Sequence, residues 1–61
     1  MKRKDLIRQI QQAGWYLKRS GSKHDVYWHD EERRLLTVPR HTEIPEPTAW
    51  EIQKQAGLKP G

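Results

Sequence analysis

The chain contains no cysteine. Disulfides and thiolate metal ligands are therefore excluded as supports for the fold. It also lacks a long apolar run. The first ten residues, "MKRKDLIRQI", are charged and amphipathic, without the apolar core of a signal peptide or the length of a membrane span. These absences predict a cytoplasmic protein with no membrane partner. Length is short too: 61 residues make one domain over 1–61 and no more. A domain of that size buries only about 60% of the surface its unfolded chain exposes. Its core is thin, and a deep cofactor cavity is not expected. Repeats, linkers and low-complexity segments are absent. What the chain has in excess is positive charge: twelve Lys and Arg against eight Asp and Glu, a net +4. That excess suits a polyanionic partner, or serves solubility alone.

Apolar spacing gives the element order. Leu6, Ile7, Ile10 and Ala13 fall at helical intervals, and Gly14 stands where a left-handed residue ends a helix. "WYLKR" alternates, Trp15 and Leu17 against Tyr16 and Lys18, and predicts a strand. "SGS" is a turn in which Gly21 is free to take positive φ. "KHDVYWH" is a second strand, rich in β-branched and aromatic residues. After the charged connection "DEERR", whose turn type the residues leave open, "LLTVP" makes a third strand that Pro39 stops. Pro45 or Pro47 can open a second helix, with Glu46 and Glu51 complementing its dipole. That helix puts Ala49, Ile52 and Ala56 on one face, ends at Gly57, and is kept from resuming by Pro60. Short connections favour an antiparallel meander. The expected fold is α+β: helix, three-stranded antiparallel sheet, helix (α-β-β-β-α), both helices on one sheet face.

Strict alternation puts His24 on the face of Val26 and Trp28, which predicts a partly buried histidine at the rim of the core. The three tryptophans, Trp15, Trp28 and Trp50, are expected in the core because each buries a large area. Tyr16 and Tyr27 would then lie on the opposite sheet face, available for base stacking or cross-strand packing.

The candidate chemistry is narrow. His24 and His29 are five apart on a strand and so point to opposite faces, and His41 lies in a loop far along the chain. A metal site is not expected. Ser22 shares a face with His24, but a serine nucleophile needs an orienting group and an oxyanion site that the spacing does not supply. A substrate that carries its own nucleophile asks for less. RNA brings a 2′-hydroxyl next to its phosphate. The protein then needs only a proton acceptor, a proton donor and positive charge. Histidine supplies the first near neutral pH without special tuning. His24, flanked by Arg19 and Lys23 just past the Gly-Ser turn, is the candidate, although a strand-end histidine by default merely packs. His29 beside Asp30 and Glu31 reads as a solvated turn residue, and His41 after Arg40 as a phosphate contact at most.

The stretches "LIRQIQQAGWYLKRSGSKHDVYW", "LLTVPRHTEIP" and "IQKQAGL" together resemble the HicA-type mRNA interferases, the toxins of bacterial HicBA toxin–antitoxin modules. No one stretch is specific; their order, spacing and total length are. The resemblance runs from about Lys4 to Leu58. It implies a fold like the double-stranded-RNA-binding domain, in agreement with the pattern above. It implies an endoribonuclease that cleaves mRNA, with His24, the histidine of a Gly-Ser-x-His motif, as the general acid–base. It implies no metal or other cofactor, and a HicB-type antitoxin that covers the active surface. Arg19, Gly21, Ser22, Lys23 and Arg40 become candidate RNA contacts. Two positions depart from the family pattern: Lys23 stands where many relatives have a second histidine, and Pro47 where a small residue precedes the threonine. The alternative is a non-catalytic RNA-binding module of the same fold, and a third reading is a toxin remnant that keeps only its antitoxin contact.

Overall fold

In the computed structural model, which describes residues 1–58, the element order is α1 (Arg3–Gln12), β1 (Tyr16–Ser20), β2 (His24–His29), β3 (Arg34–Pro39) and α2 (Glu46–Gln55). The strands form one antiparallel sheet in the order β1-β2-β3. This is the α-β-β-β-α arrangement expected for a fold like the double-stranded-RNA-binding domain. Pro60, expected to keep the second helix from resuming, lies outside the described residues. Among the described residues, no helix is long and apolar enough to cross a membrane.

Both helices end as their glycines predict. Gly14 takes φ +102°, its N–H donates to the Gln11 carbonyl, and the Trp15 N–H donates to the Ile10 carbonyl. Gly57 and Leu58 repeat the pattern on Lys54 and Gln53. This pair of bonds satisfies carbonyls that the helix itself leaves open. Gly14 is constrained twice, since a Cβ there would also press on the His29 ring, 2.6 Å from Nε2. The start of α1 has no side-chain cap. Its Arg3 N–H instead donates to the Thr42 carbonyl at 2.8 Å, which ties the loop after β3 to the helix.

The core joins Leu6 and Ile10 of α1, Trp15, Tyr27 of β2, Leu36 and Val38 of β3, Ile44, and Ala49, Ile52 and Ala56 near and on α2. The Trp15 indole N–H donates to the Ala56 carbonyl at 3.1 Å and closes the end of α2. Of the three tryptophans, only Trp15 is in the core: Trp28 is half-buried and Trp50 is 45% exposed. Leu17 is 47% exposed as well, because β1 is an edge strand, exposed throughout, with a bulge between Leu17 and Arg19. A short, bulged, basic edge resists pairing with other chains.

Strand β2 corrects the expected facing. Asp25 and Tyr27 point into the core, while His24, Val26 and Trp28 point to the uncovered face. By apolarity His24, Val26 and Trp28 looked like the inner set. Three contacts reverse that order. Tyr27 supplies a large ring, Asp25 is neutralised by Arg3, and Trp28 is satisfied outside. The Lys18 ammonium lies 4.6 Å from the Trp28 ring centroid, and the indole N–H donates to Asp30 at 3.1 Å. A cation over an indole and a bonded N–H make that ring comfortable at the surface.

Candidate functional site

The β1–β2 turn is built by close approach. The Gly21 N–H donates to the His24 carbonyl at 2.9 Å. Gly21 is not among the residues with positive φ, which corrects the expectation from sequence. Glycine is needed here for space: a Cβ would collide with that same His24 carbonyl oxygen.

His24 opens β2 with its side chain exposed. It is therefore not at the rim of the core, because the alternation of β2 runs the other way. It lines an open cleft of about 470 Å³ together with Ser22, Lys23, Arg40 and His41. Across the ladder His24 pairs with Pro39. Beyond Pro39 the hairpin continues one step further, as the Arg40 N–H donates to the Lys23 carbonyl at 3.1 Å. That continuation carries His41 back to the turn. The histidine read as lying far along the chain thus shares a cleft with His24.

Arg40 holds this arrangement. Its Nη1 donates to the Gly21 carbonyl at 2.8 Å, and its Nε lies 3.8 Å from the Asp25 carboxylate. Asp25 is buried and also paired with Arg3, whose Nε donates to the Pro39 carbonyl at 2.8 Å. One buried carboxylate thus positions two arginines, and these brace the turn and the end of β3. Asp25 Oδ1 has no hydrogen-bond partner among the described residues. Sequence reasoning missed Asp25 and Arg3. An aspartate next to a candidate histidine was a signal, but its partner lies 22 positions away.

A second open cleft, about 430 Å³, adjoins the first and shares Arg40 with it. Lys2, Arg3, Lys4 and Thr42 complete its lining. Basic side chains thus extend from Lys23 across Arg40 to the start of α1. Arg19 is not part of this surface. It lines a separate depression with Lys18, Val26, Trp28 and Leu35 on the uncovered sheet face.

His29 serves a different purpose from the solvated role its neighbours suggested. Its Nε2 is 2.8 Å from the Ala13 carbonyl, and its Nδ1 accepts from the N–H groups of Glu31 and Glu32 at 3.2 and 3.1 Å. Backbone N–H groups can only donate, so the ring proton is assigned to Nε2. The ring also meets Trp15 edge-on at 5.2 Å. His29 is a structural tie between the β2–β3 turn and the end of α1. It lies on the opposite face of β2 from His24, as the odd spacing predicts.

None of the curated proteins matches the chain. A family model described as the HicA toxin of bacterial toxin–antitoxin systems matches residues 3–58, nearly the whole chain. The chain belongs to the HicA toxin family.

Proposed function

We propose that this HicA-family toxin is an endoribonuclease that cleaves mRNA, with His24 as the proton-transferring residue, and that a HicB-type antitoxin neutralises it. The observation that carries the reading is an exposed histidine in a basic cleft, set between Lys23 and Arg40 beside a turn that lacks a side chain at Gly21. Of the two histidines that line this cleft, His24 and His41, His24 is the one whose backbone the turn holds directly, through the Gly21 N–H bond to its carbonyl. The backbone at Gly21 and Ser22 lets a polynucleotide approach closely. His24 takes the proton of the 2′-hydroxyl, whose oxygen attacks the adjacent phosphorus. Lys23 and the outer edge of Arg40 offset the charge that gathers on the phosphoryl oxygens. Arg40 does so as a residue already braced by Gly21 and Asp25, which fixes its position before substrate arrives. Arg19 contacts the strand further along, over the sheet face. An acidic surface of the antitoxin would cover the same basic cleft, since complementary charge sets encounter and register.

The test uses purified protein and RNA in the presence of a chelator. New 5′ ends are expected with the parent, and about 10²- to 10⁴-fold fewer with His24→Ala. Cleavage by His24→Ala at the parental rate removes the assignment. Salt-sensitive RNA binding without any cleavage by the parent identifies a non-catalytic binding module instead.

A further inference from the structure

We infer that His41 is a second catalytic residue, the general acid that protonates the leaving 5′-oxygen; this deepens the ribonuclease reading and rests on it. Attack by a 2′-hydroxyl is in line, so the leaving oxygen stands opposite the nucleophile across the phosphorus. One imidazole on one side of a phosphate does not reach both oxygens in the same step. The cleft holds a second imidazole. His24 and His41 line it together, and Arg40, the residue before His41, is turned inward to the Gly21 carbonyl and Asp25. Among the described residues, no hydrogen bond occupies a ring nitrogen of either His24 or His41, in contrast to His29, whose two nitrogens are both engaged. Of the remaining side chains in the cleft, Ser22, Lys23 and Arg40, none is of a type that gives up a proton readily near neutral pH.

The step balances without a co-reactant. The 2′-hydroxyl proton passes to His24 while the O2′–P bond forms. The P–O5′ bond breaks, and the proton on the His41 imidazolium passes to O5′. The products carry a 2′,3′-cyclic phosphate and a 5′-hydroxyl. The tether from α1 supports the geometry: the Arg3 N–H bond to the Thr42 carbonyl, 2.8 Å, fixes the backbone one residue past His41.

The deciding experiment changes the leaving group. A cleavage site is mapped with the parent, and an oligoribonucleotide is made with sulfur replacing O5′ at that site, since a thiolate departs without being protonated. His41→Ala is expected to cut ordinary RNA about 10²- to 10⁴-fold more slowly than the parent and the sulfur substrate nearly as fast. His24→Ala is expected to be slow on both. His41→Asn serves as a second variant, and an unchanged melting temperature for both shows that the fold is intact. If His41→Ala matches the parent on ordinary RNA, or is not rescued by sulfur, the assignment of His41 falls while the ribonuclease reading stands. Rescue of His24→Ala instead reverses the two roles and overturns the assignment. If the parent cleaves no RNA at all, the ribonuclease reading falls and takes this one with it.

Discussion

His24 and His29 stand at the two ends of one six-residue strand, and they differ in everything but residue type. His29 is held by the Ala13 carbonyl, by two backbone N–H groups and by the Trp15 ring. His24 is exposed, and what is fixed about it is its backbone, through the Gly21 bond to its carbonyl and the Pro39 pairing. The contrast separates two uses of histidine. A ring whose nitrogens are both committed to backbone is a structural part. A ring with free nitrogens on a pinned backbone, in a cationic cleft, is placed to exchange protons with something that arrives. Replacing each by alanine tests this directly and has the largest expected effect. His24→Ala should lose about 10²- to 10⁴-fold in RNA cleavage with an unchanged melting temperature. His29→Ala should keep the site chemistry but lose about 2 kcal/mol of stability, from its hydrogen bonds and ring packing. In a domain this small that lowers the melting temperature by roughly 8–16 °C. Equal losses of activity at equal folded fraction would dissolve the distinction.

Next in size is Asp25, which links the two ends of the comparison because it lies beside His24 yet faces the core. Removing one partner of a buried ion pair leaves the other charge uncompensated, at a cost of about 3–5 kcal/mol. Arg3 keeps some solvent contact, so Asp25→Ala is expected near the lower bound, about 3 kcal/mol. It should also loosen Arg40 from the turn and weaken RNA binding in the fraction that remains folded. Chemical denaturation measures the first effect and salt-dependent RNA binding the second. A variant with parental stability would show that the arginines find other partners.

The β2–β3 turn gives a smaller and opposite effect. Its five residues, His29 to Arg33, close with the Arg33 N–H donating to the His29 carbonyl at 2.8 Å, and Arg33 sits at φ +56°. A non-glycine residue there is strained by about 1 kcal/mol. Arg33→Gly relieves that strain but frees the unfolded chain, so the net gain expected is about 0.5 kcal/mol. A melting temperature that falls would mean that the Arg33 side chain contributes more than its backbone costs.

These local contests explain what was legible beforehand. The helix ends were, because Gly14 and Gly57 carry a conformation that few other residues accept. The order of strands was, because short connections leave little choice of pairing. The facing of β2 was not. Val26 and Trp28 outrank Asp25 and Tyr27 on apolarity, and the polar set becomes the better inner one through the buried Tyr27 ring, the outside partners of Trp28 and, above all, Arg3, 22 positions from Asp25. His41 was misjudged for a related reason. Its return to His24 depends on bonds from Arg40 to Lys23 and from Arg3 to Thr42, which join distant parts of the chain. In the site, Gly21 was identified correctly as the turn residue and for the wrong cause, since its missing Cβ matters and its φ does not. Arg19 was grouped with the histidine by sequence proximity, while the strand carries it to another part of the surface.

The smallest effect expected lies in the two tyrosines, which repeat the comparison on opposite faces of the sheet. Both phenols are pushed above their ordinary value of 10.0, for different reasons. Tyr16, on the uncovered face, donates to the Asp30 carboxylate at 2.9 Å, and that bond is the leading cause. Tyr27 is raised by burial, with the Arg3 guanidinium opposing. A raised phenol stays protonated in the folded chain while the unfolded chain has begun to ionise. Its contribution to stability is therefore complete below about pH 10 and is lost as pH rises through the folded value. Absorbance of the phenolate should show neither tyrosine ionising at the ordinary value while the protein is folded. Asp30→Ala should return Tyr16 toward 10 and leave Tyr27 where it is, because one shift belongs to a partner and the other to burial. A titration in which both move together would mean that the two faces of this thin domain are electrostatically one.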